Sequence, residues 1–342
     1  MSNAAATRPS RELIGGFDIL KFVLSLMIVD MHAHDEAMSE PVDDLFYTGF
    51  TSHGLEVAVP CFFMMSAFFL FSKMRSGGGL RAELRLLGRY EWRVARLYLF
   101  WIVVLGYYIF TVWHEEYCDL SPLSANLFVR HFFLGSEFGA SWFFGALIVG
   151  VPVVYALVKL LGGKLAWVIP AAAYLLLFFD PLHEVIYGWY YAHFHYDADL
   201  SFLYGLVWIA AGWYLSGGRL RRLSARAPWW SLVAVVAVSL ALACAFPRLS
   251  HVFRVPMAVA LMALAYGLRA VSPALCLRLR AYSIHIFCLH YTVIALLEGV
   301  SWIPQGEWVP LAAGSLAVSL CVSEVIIRLS RVRWLGWLRY SM

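Results

Sequence analysis

The stretch from Phe17 to His34, F-D-I-L-K-F-V-L-S-L-M-I-V-D-M-H-A-H, decides how the chain is read. It is apolar enough for a helix in a membrane, yet it carries Asp18, Lys21, Asp30 and His32. Ionisable groups at membrane depth are costly and point to function by default. Lys21 and His32 are eleven residues apart. At roughly 100° per residue that is about three turns, so both side chains fall on one face, about 16 Å apart. Asp30 points elsewhere, about 160° from His32 around the helix. Asp18 and Lys21 are spaced i, i+3, where a simple mutual neutralisation is the plain expectation.

The whole chain has the same character. Of its 342 residues, 62% are hydrophobic and 14% charged, with a mean hydropathy of +0.72. Soluble domains carry about a quarter charged residues, so this composition indicates an all-α integral membrane protein. Ten apolar runs of about the length a bilayer core requires lie at 15–34, 53–72, 95–114, 141–160, 165–180, 200–217, 228–246, 251–270, 281–299 and 309–328. One transmembrane domain over residues 15–330 is expected. A polar tail without a cleavable signal precedes it at 1–14, and a basic tail follows at 331–342.

Charge fixes the expected orientation. Of the 26 Lys and Arg, 22 lie in or at the edges of alternate connecting segments, including both tails. The opposite loops hold only Arg130, Arg248 and Arg254. The positive-inside rule therefore predicts about ten spans with both termini cytoplasmic. Acidic residues gather on the other side, as in Asp35, Glu36, Glu40, Asp43 and Asp44 after the first run. The net charge of +4 thus hides a dipolar molecule, and nothing in it supports nucleic-acid binding. Six scattered cysteines form no C-x-x-C pair and read as small buried residues.

Several positions can carry chemistry. His32 falls in the outer half of the first run and Lys21 in the inner half. A histidine is a general base near neutral pH, and Asp35 or Glu36 would lie on its face to orient it. Arg85, Arg89, Arg93 and Arg96 form one helical stripe entering the third run. Arginine forks match phosphate oxygens, although topology signalling and snorkelling also explain such a stripe. His290 falls near mid-membrane in the ninth run, with His285 about 140° around the helix. For each histidine, a packing role between helices is the competing reading. Ser66 is a small polar group in an apolar run. His183, His193 and His195 stand among aromatic residues, a pattern that fits interfacial anchoring better than a metal site, and no metal is expected.

Taken in order, G-F-D-I-L-K-F…H at 16–32, V-P-C-F-F-M-M-S-A-F-F at 59–69, R-V-A-R-L-Y at 93–98, S-W-F-F-G-A-L-I at 141–148 and S-I-H-I-F-C-L-H at 283–290 resemble the acyltransferase-3 family of polytopic membrane acyltransferases. Each motif is degenerate alone; the ordered set is specific. Departures are Lys21 where many members have Arg, Ala67 where Gly is usual, and Trp142-Phe143-Phe144 in place of Trp-aromatic-Leu.

The resemblance implies an O-acyltransferase of the bacterial inner membrane. It would move an acyl group, commonly acetyl, from cytoplasmic acyl-CoA to a hydroxyl of a cell-surface glycan or related exported compound. His32, Lys21 and His290 are the implied catalytic residues, with His32 as general base or acyl carrier. Arg93, Arg96 and Arg89 would hold the CoA phosphates, and Trp142, Asp35 and Ser66 would contact substrate. The partners are then acyl-CoA, the acceptor and the bilayer, with a homo-oligomer left open. No motif nominates an oxyanion stabiliser. The rival expectation is a transporter of a small polar solute using the same polar core.

Overall fold

The computed structural model describes residues 15–37, 54–75, 77–117, 122–178, 180–268, 272–298, 300 and 307–342. The expected tail at 1–14 lies outside them. All ten apolar runs are helical. They form, in order, α1 (Gly15–Ala37), α2 (Ala58–Arg75), α3 (Gly79–Val104) with its continuation α4 (Gly106–Tyr117), α6 (Trp142–Leu165), α7 (Val168–Phe178), α9 (Phe202–Ser216), α11 (Trp229–Ala245), α12 (Ser250–Gly267), α13 (Pro273–Glu298) and α14 (Trp308–Leu329). Three further helices fall outside the main runs: α5 (Pro122–Leu134), α8 (Asp180–Phe194) and α10 (Arg219–Arg226). No strand occurs among the described residues.

By length and composition, five helical stretches among the described residues suffice to cross a membrane: Leu55–Arg75, Gly139–Gly163, Pro247–Gly267, Pro273–Glu298 and Trp308–Leu329. The number is up to seven if the bent pairs α7–α8 (96°) and α10–α11 (105°) each count as one span. The difference from ten has physical causes. α1 carries Asp18, Lys21 and Asp30 along its length, and α3 carries the arginine stripe before the chain breaks at Leu105. α9 has 15 residues, about 22 Å of helix, which is short against a hydrocarbon core of about 30 Å.

Apolar burial holds the bundle together around an aromatic and aliphatic core drawn from nearly every helix. The most extensive pairings are α2 with α9, α1 with α13, α11 with α12 and α13 with α14. α1 is held from several sides, since it also packs on α12 and α14. Its approach to α12 depends on Gly16: a Cβ there would collide with the backbone carbonyl of Ala265, so only glycine lets these two helices meet so closely.

Residues 331–342 include a 3-10 helix, Arg333–Ser341, that folds back against α3 and α14. Ser341 is fully buried and its Oγ lies 3.0 Å from Nε2 of His285. The basic segment is thus anchored to the bundle at its buried end, Ser341, while Arg331–Trp334 stay exposed.

Candidate active site

α1 and α13 run parallel, and two polar clusters mark the seam between them. At one end Arg280 donates from Nε to Asp18 Oδ1 at 3.0 Å and from a terminal nitrogen to Oδ2 at 2.8 Å. This bidentate fork replaces the Asp18–Lys21 neutralisation expected from spacing, because the planar guanidinium matches both carboxylate oxygens at once. Lys21 is left with no carboxylate within ion-pair distance among the described residues. Its Nζ lies 5.3 Å from the centre of the Phe69 ring. The charges it faces are Asp18, Arg280 and, from α3, Arg93.

Three turns along α1, His32 faces the protein interior. Its ring stacks on that of His290 at 5.2 Å with 25° between planes, and its Nδ1 lies 3.0 Å from the Tyr291 hydroxyl. His290 Nδ1 lies 2.8 Å from the carbonyl of Phe287 and 3.2 Å from that of Ile286. A carbonyl only accepts, so Nδ1 of His290 carries the proton and Nε2 presents its lone pair. That Nε2 is buried without a hydrogen-bond partner among the described residues. Two imidazoles and a phenol therefore meet in one place, one imidazole locked in a tautomer whose free nitrogen is an acceptor.

The loop between α5 and α6 sets the position of Tyr291. Ser141 Oγ accepts from the backbone N–H of Glu137 at 2.8 Å and of Phe138 at 3.0 Å, and it lies 3.2 Å from the Tyr98 hydroxyl. This folds the loop so that Gly139, at φ +31°, rests on the Tyr291 ring; any Cβ at 139 would collide with that ring.

Glu137, in the same loop, is 5% exposed, and neither carboxylate oxygen has a hydrogen-bond partner among the described residues. Burial pushes its carboxyl up to about 9, against about 4.3 in an unfolded chain. Glu137 is thus protonated at neutral pH. Between those values unfolding releases a proton, so stability falls as pH rises, by about 1.4 kcal/mol per unit. Glu137→Gln removes this dependence. Thermal unfolding in detergent is expected to show the variant close to wild type near pH 5 and increasingly more stable toward pH 8.

The other sequence candidates are dispersed. Arg89 donates to the Arg85 carbonyl at 3.2 Å, on the exposed face of α3. Arg93 is exposed over Tyr90 and is the member of the stripe that faces Lys21. Arg96 is half-buried under the Tyr340 ring at 4.3 Å, with its Nε unpartnered among the described residues. Trp142 packs between Phe63 and Tyr204 in the aromatic core. Ser66 lies beside Tyr90, whose buried hydroxyl has no hydrogen-bond partner among the described residues. The Asp35 side chain lies outside the described residues. His285 is set apart against Trp101 and Ser341, as its helical angle predicts.

Tyr291, Arg280 and Glu137 were not singled out in the sequence. Tyr291 directly follows His290, and an i, i+1 pair rarely meets one partner unless that partner sits between their faces, as His32 does. Cavities of about 160 Å³ beside Arg75, Glu83 and Lys159, and of about 570 Å³ beside Arg278 and Arg331, are lined by none of Lys21, His32 or His290.

A helical membrane protein with paired histidines and an uncompensated lysine along one buried seam is the class that fold and site define. The chain belongs to the acyltransferase-3 family of membrane acyltransferases: the family model, described as an acyltransferase domain, matches residues 14–328. An amino-acid racemase of Enterococcus faecalis is 27% identical over 179 residues, which is 51% of this chain and 23% of the racemase. The chain therefore corresponds to less than a quarter of that relative's length. No solved structure matches the chain.

Proposed function

We propose that the protein is an O-acyltransferase of the bacterial inner membrane, crossing it about ten times with both termini inside. It carries an acetyl group from cytoplasmic acetyl-CoA to a hydroxyl of a cell-surface glycan or similar exported compound. The observation that supports this most is His32, held between Tyr291 and His290 on the same unbroken helix as Lys21.

The chemistry follows from those groups. With Nδ1–H of His32 donating to the Tyr291 oxygen, Nε2 is the basic nitrogen. It takes the proton of the acceptor hydroxyl as that oxygen attacks the thioester carbonyl. The tetrahedral intermediate collapses, the C–S bond breaks, and the CoA thiolate recovers the proton from the His32 imidazolium. His290, with its acceptor nitrogen facing the same space, receives a second hydroxyl of the acceptor or shares the proton. Arg93 and Arg96 hold the CoA phosphates as bidentate donors, with Arg89 further out on the same helix.

The test is transfer of label from radioactive acetyl-CoA to envelope material by inside-out vesicles carrying the protein. CoA-dependent labelling above that of empty vesicles is the expected result. No labelling, together with no CoA binding by purified protein, overturns the reading. Solute flux without CoA dependence would instead favour a transporter that uses the same polar core.

A further inference from the structure

The start of α13 and the end of α14 enclose a groove that the proposed reaction does not use. Ala274, Leu277, Arg278 and Ala281 recur every three or four residues, so they lie on one face of α13. Ile327 of α14, Arg331 in the turn that ends it, and Met342 form the facing wall. The cavity between them measures about 570 Å³, within the roughly 300–1,000 Å³ of small-molecule pockets.

Its lining is apolar except for two exposed guanidinium groups, those of Arg278 and Arg331. Neither has a carboxylate within ion-pair distance among the described residues. Glu324, whose charge reaches Arg278, already accepts from Arg328 Nε and from the Tyr282 hydroxyl, each at 2.9 Å. Arginine forks match phosphate oxygens. A groove that is apolar beneath its cations therefore suits a ligand with phosphate at one end and hydrocarbon at the other. A soluble phosphate would gain nothing from Leu275, Leu277 and Ile327. Trp334, three residues beyond Arg331, is exposed as well. Tryptophan beside basic residues at helix ends is the pattern that meets lipid headgroups.

We infer that this groove binds an anionic phospholipid, its phosphate held by Arg278 and Arg331 and its hydrocarbon laid against Leu277, Ala281 and Ile327. Met342 lines the same groove and its neighbour Ser341 is docked on His285, so an occupying lipid also holds the basic tail against the bundle. The inference goes beyond the acyltransferase reading and does not depend on it, since it needs only a membrane around the helices.

Binding of phosphatidylglycerol and of phosphatidylcholine is measured by native mass spectrometry on the purified full chain. Wild type is compared with Arg278→Gln/Arg331→Gln and with Arg221→Gln/Arg226→Gln, which removes the same charge from exposed positions of α10. All four arginines are exposed, so both variants keep the fold. At about fivefold for each arginine, wild type is expected to prefer phosphatidylglycerol by roughly thirtyfold. The groove variant is expected to lose that preference and the α10 variant to keep it. Phosphatidylglycerol is also expected to raise the unfolding temperature of wild type and of the α10 variant, but not that of the groove variant. No preference in wild type, or an equal loss in both variants, overturns the inference. So does displacement of the bound lipid by glycerol 3-phosphate at the lipid's own concentration, which would mark a site for free phosphate esters.

Discussion

Under the proposed acyltransferase reading, His32→Ala is expected to lower acetyl transfer from acetyl-CoA by about 10³-fold, the middle of the range for a positioned general base, while leaving CoA affinity close to that of wild type. The split follows from the separation of the two sets of groups. The imidazole meets His290 and Tyr291, whereas Arg93 and Arg96, the proposed holders of the donor phosphates, lie on another helix, α3. The side chain is partly buried, and its loss leaves a small cavity without exposing a charge, so the folded protein is retained. Initial rates with labelled acetyl-CoA, together with CoA binding on the same preparation, check the result. Unchanged transfer would remove His32 from the chemistry.

Arg280→Ala is expected to be the most damaging single change away from the imidazoles. Asp18 is buried at 2% exposure and its two oxygens are occupied by that one guanidinium. Removing one partner of a buried pair strands the other and costs about 3–5 kcal/mol when both are enclosed. The Arg280 side chain is 41% exposed, so a loss of roughly 3 kcal/mol is the better expectation. A second effect follows: Lys21, one turn along α1, becomes the nearest cation to Asp18 and is drawn to it. Asp18→Asn in the same molecule removes the stranded charge. Denaturation in detergent is expected to show the double variant recovering most of the lost stability. A double variant as unstable as Arg280→Ala would show that the pair acts through packing alone.

Much of this architecture is legible in the sequence. Hydrophobic runs locate ten helices because each must satisfy its backbone internally and bury apolar surface, and both demands leave their mark on composition. The same-face relation of Lys21 and His32 is legible because helical periodicity is purely local. Interior partnership is not. Asp18 has Lys21 one turn away, yet it bonds to a residue 262 positions later in the chain. Tyr291 lies 3.0 Å from His32 Nδ1, a partner on another helix that spacing along α1 does not reveal. Such choices depend on which helix lies beside α1 and at what height, information carried by packing across the bundle. Crossing number is hidden for a related reason. Charged stripes, a break at Leu105 and bends near 100° convert several apolar runs into helices that fall short of a simple span.

Because α1 continues without a break from Gly15 to Ala37, the separation of its lysine and its histidine is a property of the polypeptide and not of the surrounding lipid. Bilayers differ in thickness, and helices answer by tilting or by drawing headgroups inward. A site assembled from opposite ends of different helices would stretch or compress with each such adjustment. Here a thinner membrane changes the lean of α1 and leaves its internal spacing intact, so Lys21 and His32 keep the same separation across membranes of different lipid composition.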